Sequence, residues 1–446
     1  MLVTVSDNTV LRRASYGPSS PEIGRRGADT RRKIVDVSLQ LFAENGFFNT
    51  SVDAIAKGAG VSRATLYQYF PGKDEIFTEL LNECGGALIR VARRIGELGP
   101  TERGLDNLNW WLGEWSWVFE KYRTMFVQWA VVASVDAEVR PEVMAFITEY
   151  NKRLATRLEQ SEVDGLDPVT AATVISALVH RLNLFHHTGR TYEANLEVLV
   201  ANLSIFLQLL VFPETSDEVL SSLVSRTVGS AQIADPTPPQ TTGLSVEERG
   251  AGLSKRAAAT IRSLVDAGAA QFATKGYFRT SVDDIVAEAG FARGTFYKYF
   301  SEKQDLLLAV SSEACSRSVE LSDRLQALDL TAEDTPALRQ WLHDFLAFMD
   351  TYIGSIDVWA EQSTEGALVA EIGVYAQTVL DKAAEKALTT VERPYPFDTT
   401  AAALIFRALI TRLPEALREL SSTATDEQIV ELLIVCLRRG FFGHNI

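Results

Sequence analysis

The chain has 446 residues, 46% of them hydrophobic and 23% charged, which is the balance of a globular protein of roughly two to three domains. Its net charge of −15 excludes a general attraction to nucleic acid, so any DNA binding must come from a local basic surface. The sequence has neither a signal-peptide pattern nor about 18 uninterrupted apolar residues, and its three cysteines lie far apart. We therefore expect a cytoplasmic protein with reduced, buried thiols and no membrane span.

The first 28 residues are rich in Ser, Pro, Gly and Arg and show no periodicity, which predicts a disordered arm. The first 35 residues hold seven basic and three acidic side chains, a net charge of +4. Such a basic arm either assists DNA binding by the domain that follows it or only keeps the chain soluble. The sequence favours neither alternative.

A 25-residue segment then occurs twice. Residues 46–70 read GFFNTSVDAIAKGAGVSRATLYQYF and residues 276–300 read GYFRTSVDDIVAEAGFARGTFYKYF, with 14 identical positions at an offset of 230. In the first copy, Ser51 is a candidate N-cap for a short helix, and Gly60 provides a tight turn into another short helix over 63–70. Together with the helix before them, these elements are typical of a helix-turn-helix unit that reads DNA.

The repeat continues through a longer helical region. Trp111, Tyr122 and Trp129 recur as Trp341, Tyr352 and Trp359, and both copies end in a strongly apolar helix, at about 196–212 and 427–442. Residues 229–252 are rich in Pro, Gly and Thr, which predicts a linker. The predicted organisation is a disordered basic arm over 1–28, a DNA-binding domain over 29–75, a helical ligand-binding domain over 76–228, the linker over 229–252, a second DNA-binding domain over 253–305 and a second helical ligand-binding domain over 306–446.

The last helix of each helix-turn-helix unit carries side chains suited to DNA. A long donor and a short polar group on its first turns can reach base edges, while aromatic hydroxyls and Lys can reach flanking phosphates. A Ser at a helix N-terminus adds a hydroxyl and free backbone donors, a natural phosphate site. The predicted DNA contacts are Ser51, Ser62, Arg63, Thr65, Tyr67, Tyr69 and Lys73 in the first copy, and Ser281, Arg293, Thr295, Tyr297, Tyr299 and Lys303 in the second.

The strings AGVSRATLYQYFPGKDEIF and AGFARGTFYKYFSEKQDLL resemble the signature of TetR-type transcriptional regulators, and the resemblance covers residues 30–81 and 260–311. It implies an all-α protein of two TetR-like copies, each with three DNA-binding helices and a larger ligand-binding and dimerisation bundle. Members of this family are usually homodimers joined through their last two helices. The resemblance therefore implies an intramolecular pseudo-dimer through about 167–212 and 398–442, with further homodimerisation left open. Its implied partners are a double-stranded DNA operator and a hydrophobic small-molecule effector, and it implies no cofactor.

Two details depart from this pattern. Phe291-Ala292 replaces Val61-Ser62 and removes a hydroxyl at the start of the second recognition helix, and Gly58 costs its short helix up to ~1 kcal/mol relative to Ala. The rival hypothesis is a helical scaffold that binds proteins, with one or both DNA-reading heads inactive. A basic and polar recognition helix would favour DNA, and an acidic or apolar one a protein partner. We find no Gly-rich phosphate loop, nucleophile elbow or paired His and carboxylate motif that would indicate an enzyme.

An aromatic stripe at helical spacing marks one face of the first bundle, with a helix break expected near Tyr122. The stripe is either plain core or the wall of an effector pocket. Its predicted ligand contacts are Trp111, Trp115, Phe119, Phe126 and Trp129. His180, His186 and His187 share one helix but have no acidic or Cys partner at fixed spacing, so no metal site is predicted. The sequence thus predicts a sequence-specific DNA-binding regulator, most simply a repressor relieved by a hydrophobic effector.

Overall fold

The computed structural model describes residues 21–135, 139–161, 163, 166–224, 231–241, 243–330, 336–360, 366–389, 397–421 and 423–443. Within these ranges the regular secondary structure is helical, so the predicted all-α fold is confirmed. The first copy contributes α1 Pro21–Asn45, α2 Val52–Ala59, α3 Arg63–Tyr69, α4 Lys73–Arg93, α5 Glu102–Val135, α6 Val139–Gln160, α7 Pro168–His187, α8 Leu196–Val211 and α9 Asp217–Val224. The linker and second copy contribute α10 Val246–Gly250, α11 Lys255–Lys275, α12 Val282–Ala289, α13 Arg293–Tyr299, α14 Lys303–Leu325, α15 Pro336–Ala360, α16 Ala367–Thr389, α17 Thr399–Leu420 and α18 Asp426–Phe442.

The first helix begins earlier than its composition predicted. α1 starts at Pro21, so residues 21–28 of the expected disordered arm are helical, while residues 1–20 lie outside the described part of the chain. Proline suits the first turn of a helix, because its fixed φ is already helical and no backbone donor is needed there. Further along the helix, an ion pair between Arg31 and Glu79 connects α1 to α4 and stabilises the first turns of α1, which precede Arg31.

The predicted linker is partly ordered. The short helix α10 begins at a capping box on Ser245. Arg249 of this helix donates a hydrogen bond to Asp305 at 2.5 Å and lies over the ring of Phe300. This end of the linker is therefore held on the second DNA-binding unit and is not a free tether. Residues 229, 230 and 242 of the predicted linker fall outside the described ranges.

The helices group into two compact units, Met1–Thr188 and Gly189–Ile446, so the division falls between α7 and α8. The physical reason lies in α8, which is buried at nearly every position from Val198 to Val211. A helix that is apolar around its whole circumference must be covered on all sides. In the second unit α8 packs against α17 and α18, the last two helices of the second copy.

The first unit contains α1–α7, with α7 packed against α5 and α6. α7 is long and apolar enough to cross a membrane, but 61% of its most apolar window is buried inside the protein, as in a core helix. α5 has the expected break at Tyr122, whose φ of −113° and ψ of 21° lie outside the helical range. The kink puts Trp111 and Trp115 before the bend and Phe126 after it.

The glycine inside α2 has a packing role that its sequence context did not reveal. A Cβ at Gly58 would lie 2.7 Å from Cγ1 of Val37 on α1, closer than two such groups can approach. The second copy has Ala267 and Glu288 at the corresponding positions on α11 and α12. In the first copy the larger Val37 on α1 faces a glycine on α2. In the second copy the smaller Ala267 on α11 accompanies the larger Glu288 on α12.

We expect Gly58→Ala to destabilise the first DNA-binding unit, because overpacking costs roughly 1–3 kcal/mol and the gain in helix propensity returns only about 1 kcal/mol. Adding Val37→Ala removes the obstructing methyl group, so the effects of the two substitutions should not add. A double-mutant cycle on the amide hydrogen exchange of α1 and α2 measures this coupling. Strictly additive effects would contradict the close approach.

Candidate DNA interface

The turn between α2 and α3 is set by its two corner residues. The hydroxyl oxygen of Ser51 caps α2 by accepting a hydrogen bond from the backbone N–H of Ala54 at 3.1 Å. Gly60 ends α2 with φ 67°, in the left-handed region that favours glycine. Ser281 and Gly290 repeat both features in the second copy, with φ 72° at the glycine. The predicted N-cap and tight turn are therefore confirmed in both copies.

Arg63 and Tyr67 lie one turn apart on the exposed face of α3. The Arg63 guanidinium donates to the Asp53 carboxylate at 3.2 Å and to the Tyr67 hydroxyl at 3.3 Å. Arg293 makes the same two contacts in the second copy, at 2.8 Å and 3.4 Å. The Tyr67 hydroxyl first, and then the Asp53 carboxylate, raise the pKa of Arg63. Both guanidinium groups are thus charged and exposed, and their ion pairs with Asp53 and Asp283 are also exposed. A phosphate or a guanine edge can therefore replace either carboxylate as the acceptor.

The rest of this surface is polar. Neither α3, RATLYQY, nor α13, RGTFYKY, carries an acidic side chain. Leu66 and Phe296 are fully buried and anchor the two helices, while Thr65 and Tyr69 are half-buried beside them. Of the two partner classes that the sequence left open, this basic and polar surface favours DNA.

The two recognition helices begin differently. The Ser62 hydroxyl accepts the backbone N–H of Thr65 at 3.0 Å and lies 2.8 Å from the Thr65 hydroxyl. Ala292 occupies the same position before α13 and provides no side-chain cap. The sequence difference between the two heads therefore changes the local stability of the helix that would face DNA.

We expect Ser62→Ala to destabilise the first turn of α3 by about 1 kcal/mol, because the backbone N–H of Thr65 loses its acceptor. Ala292→Ser is the matched substitution in the second copy and should stabilise α13. Amide hydrogen exchange at the two recognition helices measures both changes. Equal exchange in each variant and its parent would contradict a capping role.

Lys73 and Lys303 have a different environment from the other predicted contacts. The Lys73 ammonium donates to the backbone carbonyls of Phe47, Phe48 and Thr50 at 2.9, 3.2 and 3.2 Å. Lys303 makes the equivalent three contacts in the second copy. Burial lowers the pKa of Lys73. Both lysines close the loop that precedes the helix-turn-helix, and phosphate contact by the same ammonium groups stays a prediction.

The aromatic stripe of α5 forms a packed cluster in the first bundle. The ring centroids of Trp115 and Phe119 are 5.9 Å apart, and those of Phe119 and Phe126 are 4.6 Å apart. His180 and His187 of α7 approach Phe119 at 6.1 Å and 6.4 Å. The structure therefore brings three of the five predicted ligand contacts, Trp115, Phe119 and Phe126, into ring contact. Trp111 lies one helical turn before Trp115, and the side chain of Trp129 lies outside the described residues.

Polar atoms inside this cluster distinguish it from ordinary core. The indole N–H groups of Trp111 and Trp115 and the hydroxyl of Tyr150 are buried and have no hydrogen-bond partner among the described residues. Burial raises the pKa of Tyr150, and the nearby Trp115 indole opposes this shift without reaching hydrogen-bond geometry. In the second bundle, by contrast, the Trp341 indole donates to the Leu321 carbonyl at 2.7 Å. Buried donors normally have acceptors, so the first bundle is the better candidate for a ligand.

The cysteines and histidines form no cluster in the part of the chain that the structure describes. Cys84, Cys315 and Cys436 are free and buried, and burial raises their thiol pKa values to about 12, 11 and 12. Such thiols are protonated and inert at neutral pH. No group of three His, Cys, Asp or Glu side chains comes together there as metal ligands.

The family profile described as "Bacterial regulatory proteins, tetR family" matches residues 34–80 and 264–310. The Mycobacterium tuberculosis protein designated transcriptional regulator MftR is 39% identical over 82 residues, which are 18% of this chain and 41% of its own length. The Staphylococcus epidermidis negative transcriptional regulator IcaR of the biofilm operon icaADBC is 26% identical over 157 residues, 35% of this chain and 80% of its own length. The solved TetR family regulator PfmR from Thermus thermophilus covers 34% of this chain and 84% of its own at 23% identity, with a TM-score of 0.29.

Proposed function

Because this chain carries two DNA-binding domains of the tetR family of bacterial regulatory proteins, we propose that it is a single-chain transcriptional regulator with two reading heads. α3 and α13 enter the major groove of an operator, as recognition helices of helix-turn-helix proteins do. A hydrophobic effector in the first bundle relieves DNA binding, so the protein acts as a cytoplasmic repressor.

One observation supports DNA binding by both heads above all others. Arg63 and Arg293 have the same exposed position, the same Asp and Tyr partners, and no acidic neighbour on their own helix. A repeat that had lost DNA contact would have no reason to preserve this arrangement twice. The heads nevertheless differ at Ser62/Ala292, Ala64/Gly294 and Gln68/Lys298. Because symmetry in an operator mirrors symmetry in the protein, we propose half-sites that are related but unequal.

We expect Arg63→Ala/Arg293→Ala to weaken DNA binding, with each substitution costing roughly 1–3 kcal/mol if the guanidinium reads a guanine. The operator is first identified by selecting, from random DNA duplexes, those that bind the protein. The selected sequence should be an imperfect palindrome. Gel-shift titration at fixed salt concentration then compares the variant with the parent chain.

Arg94→Ala/Arg317→Ala is the control for this experiment, since it removes the same charge from two exposed positions outside the reading heads. It should leave the affinity nearly unchanged. Equal affinities for the Arg63/Arg293 variant and its parent, or selection of two identical half-sites, would contradict the proposed reading heads.

We also propose that the two copies pair within one chain. The packing of α8 against α17 and α18 supports this arrangement, because it joins the last long helix of the first copy to the last two helices of the second. Phe206 and Phe441 lie with ring centroids 4.8 Å apart, and a Cβ at Gly440 would collide with Phe206. The backbone N–H of Asp398 donates to the buried Asn202 amide oxygen at 2.8 Å. Such close, specific packing is typical of a permanent interface.

The effector proposal rests on the buried donors of the first bundle. Aromatic walls formed by Trp115 and Phe119 suit an apolar body, and the Trp111 N–H group suits an oxygen acceptor on it. An amphipathic ligand such as a fatty acid or a steroid has both features. To release DNA, the ligand must bind the arrangement that cannot engage DNA more tightly than the one that can.

We expect oleate or progesterone, as a lipid-like and a steroid-like probe, to bind the first bundle and to lower operator affinity. Trp111→Phe keeps an aromatic ring but removes the N–H donor, and should weaken probe binding about tenfold for one lost hydrogen bond. Isothermal titration and gel shifts measure the two effects. Trp341→Phe is the matched control in the second bundle and should leave probe binding unchanged. If neither probe class is affected by Trp111→Phe, the aromatic cluster is plain core.

A further inference from the structure

A buried charge pair distinguishes the second bundle from the first. Asp381 on α16 is fully buried, and Arg407 on α17 is 4% exposed. The Nε of Arg407 donates to Oδ1 of Asp381 at 2.8 Å. At the corresponding places in the first bundle, allowing for the one-residue shift between the repeats near this helix, Ser176 donates to Asn151 at 2.7 Å. The first bundle thus has a neutral hydrogen bond where the second has two full charges.

The charge pair is completed by residues 189–195, the segment between α7 and α8 that we call the connector. The Tyr192 hydroxyl donates to Oδ2 of Asp381 at 2.7 Å, and Nη2 of the Arg407 guanidinium donates to the Arg190 carbonyl at 3.1 Å. The Arg190 side chain in turn donates to the Trp359 carbonyl at 2.7 Å. Buried ions need several such partners because they give up their hydration. The first copy therefore supplies groups that the ion pair of the second copy requires.

The connector has an unfavourable backbone that its seat on the second bundle maintains. Tyr192 and Glu193 are consecutive residues other than glycine with positive φ, 53° and 61°. This conformation persists only where surrounding contacts over-determine it. Burial raises the pKa of Asp381, while Arg407 and then the Tyr192 hydroxyl lower it. The hydrogen bond from Tyr192 to Asp381 therefore both stabilises the buried carboxylate and helps to hold the unfavourable backbone of the connector.

The reverse contact cannot be built from this sequence. The segment between α17 and α18 reads SSTAT over residues 421–425 and contains neither Tyr nor Arg. At the place of the charge pair, the first bundle has the neutral side chains Asn151 and Ser176. The connector of the first copy can therefore satisfy the charge pair of the second bundle, but the segment 421–425 cannot make the same contact with the first bundle.

We infer that the connector and the Asp381–Arg407 pair form a pairing code, through which the second bundle accepts the first copy in preference to another second copy. This inference rests on the proposed pairing of the copies within one chain. Two second copies together would leave the ion pair without the Tyr192 hydroxyl and the Arg190 carbonyl, and unsatisfied buried charges are strongly unfavourable. Two first copies would place Tyr192 against a neutral site. Each like-with-like assembly thus lacks charge-assisted hydrogen bonds that the mixed pairing makes, and specificity is such a difference in free energy between partners.

The test uses the full chain and gives the second bundle the neutral pair of the first, as Asp381→Asn/Arg407→Ser. The parent chain should sediment at the mass of one chain over the whole concentration range. The variant should gain a two-chain species as concentration rises, and its connector amides should exchange at least about tenfold faster. Arg412→Ser/Glu419→Asn is the matched control, because it removes an ion pair from the same helix without touching the connector. It should sediment and exchange like the parent.

Tyr192→Phe is a second, milder variant, which tests the connector even if Asp381→Asn/Arg407→Ser fails to fold. It removes one hydroxyl and leaves the charge pair in place. Connector exchange should again rise about tenfold while α16 and α17 stay protected. Suppose that the parent sediments as one chain, and that both Asp381→Asn/Arg407→Ser and Tyr192→Phe match it in mass and in amide hydrogen exchange. This result would overturn the pairing code and leave the pairing itself intact. A parent chain that occurs only as a two-chain species with its copies exchanged between the chains would overturn the proposed pairing, and the code with it.

Discussion

The architecture depends on the need to cover α8. This helix, LEVLVANLSIFLQLLV, is apolar on every side, and the first copy does not cover it alone, because it groups with the second unit and not with the first. α17 and α18 provide the missing surface. In an ordinary homodimer a second chain would supply that surface. In this chain that surface comes from the second repeat, and the proposed pairing within one chain would hold it near α8 at the high effective concentration of a tether.

Each reading head is a rigid platform for a few exposed side chains. Left-handed glycines such as Gly60 fix the turn, and lysines such as Lys73 close the loop before it through three carbonyls. These contacts are satisfied inside the protein and leave Arg63 and Tyr67 at the surface. For the proposed DNA contacts this rigidity matters, because a base contact is specific only when the donor is held in register with the groove.

The two copies share a fold and differ in the polar side chains inside their bundles. Trp111 has a buried N–H without an acceptor in the described residues, whereas Trp341 donates to a carbonyl. Asn151 stands where the second copy has Asp381. The first difference supports the proposed ligand site in the first bundle, and the second supports the proposed contact between the connector and the second bundle. The two copies therefore differ in the polar groups that their bundles bury.

The sequence by itself determined the repeat, the all-α fold and the helix-turn-helix units, because these depend on local signals such as the Ser51 cap, the Gly60 turn and the apolar spacing of the helices. It also placed the break at Tyr122 and the bounds of the terminal helices to within a residue or so. Only the tertiary structure decided that α8 belongs with the second copy, that Gly58 makes room for Val37, and that Tyr192 reaches Asp381. Those outcomes join residues distant in sequence, and no local pattern records which distant side chain will fill a given space or satisfy a given buried charge.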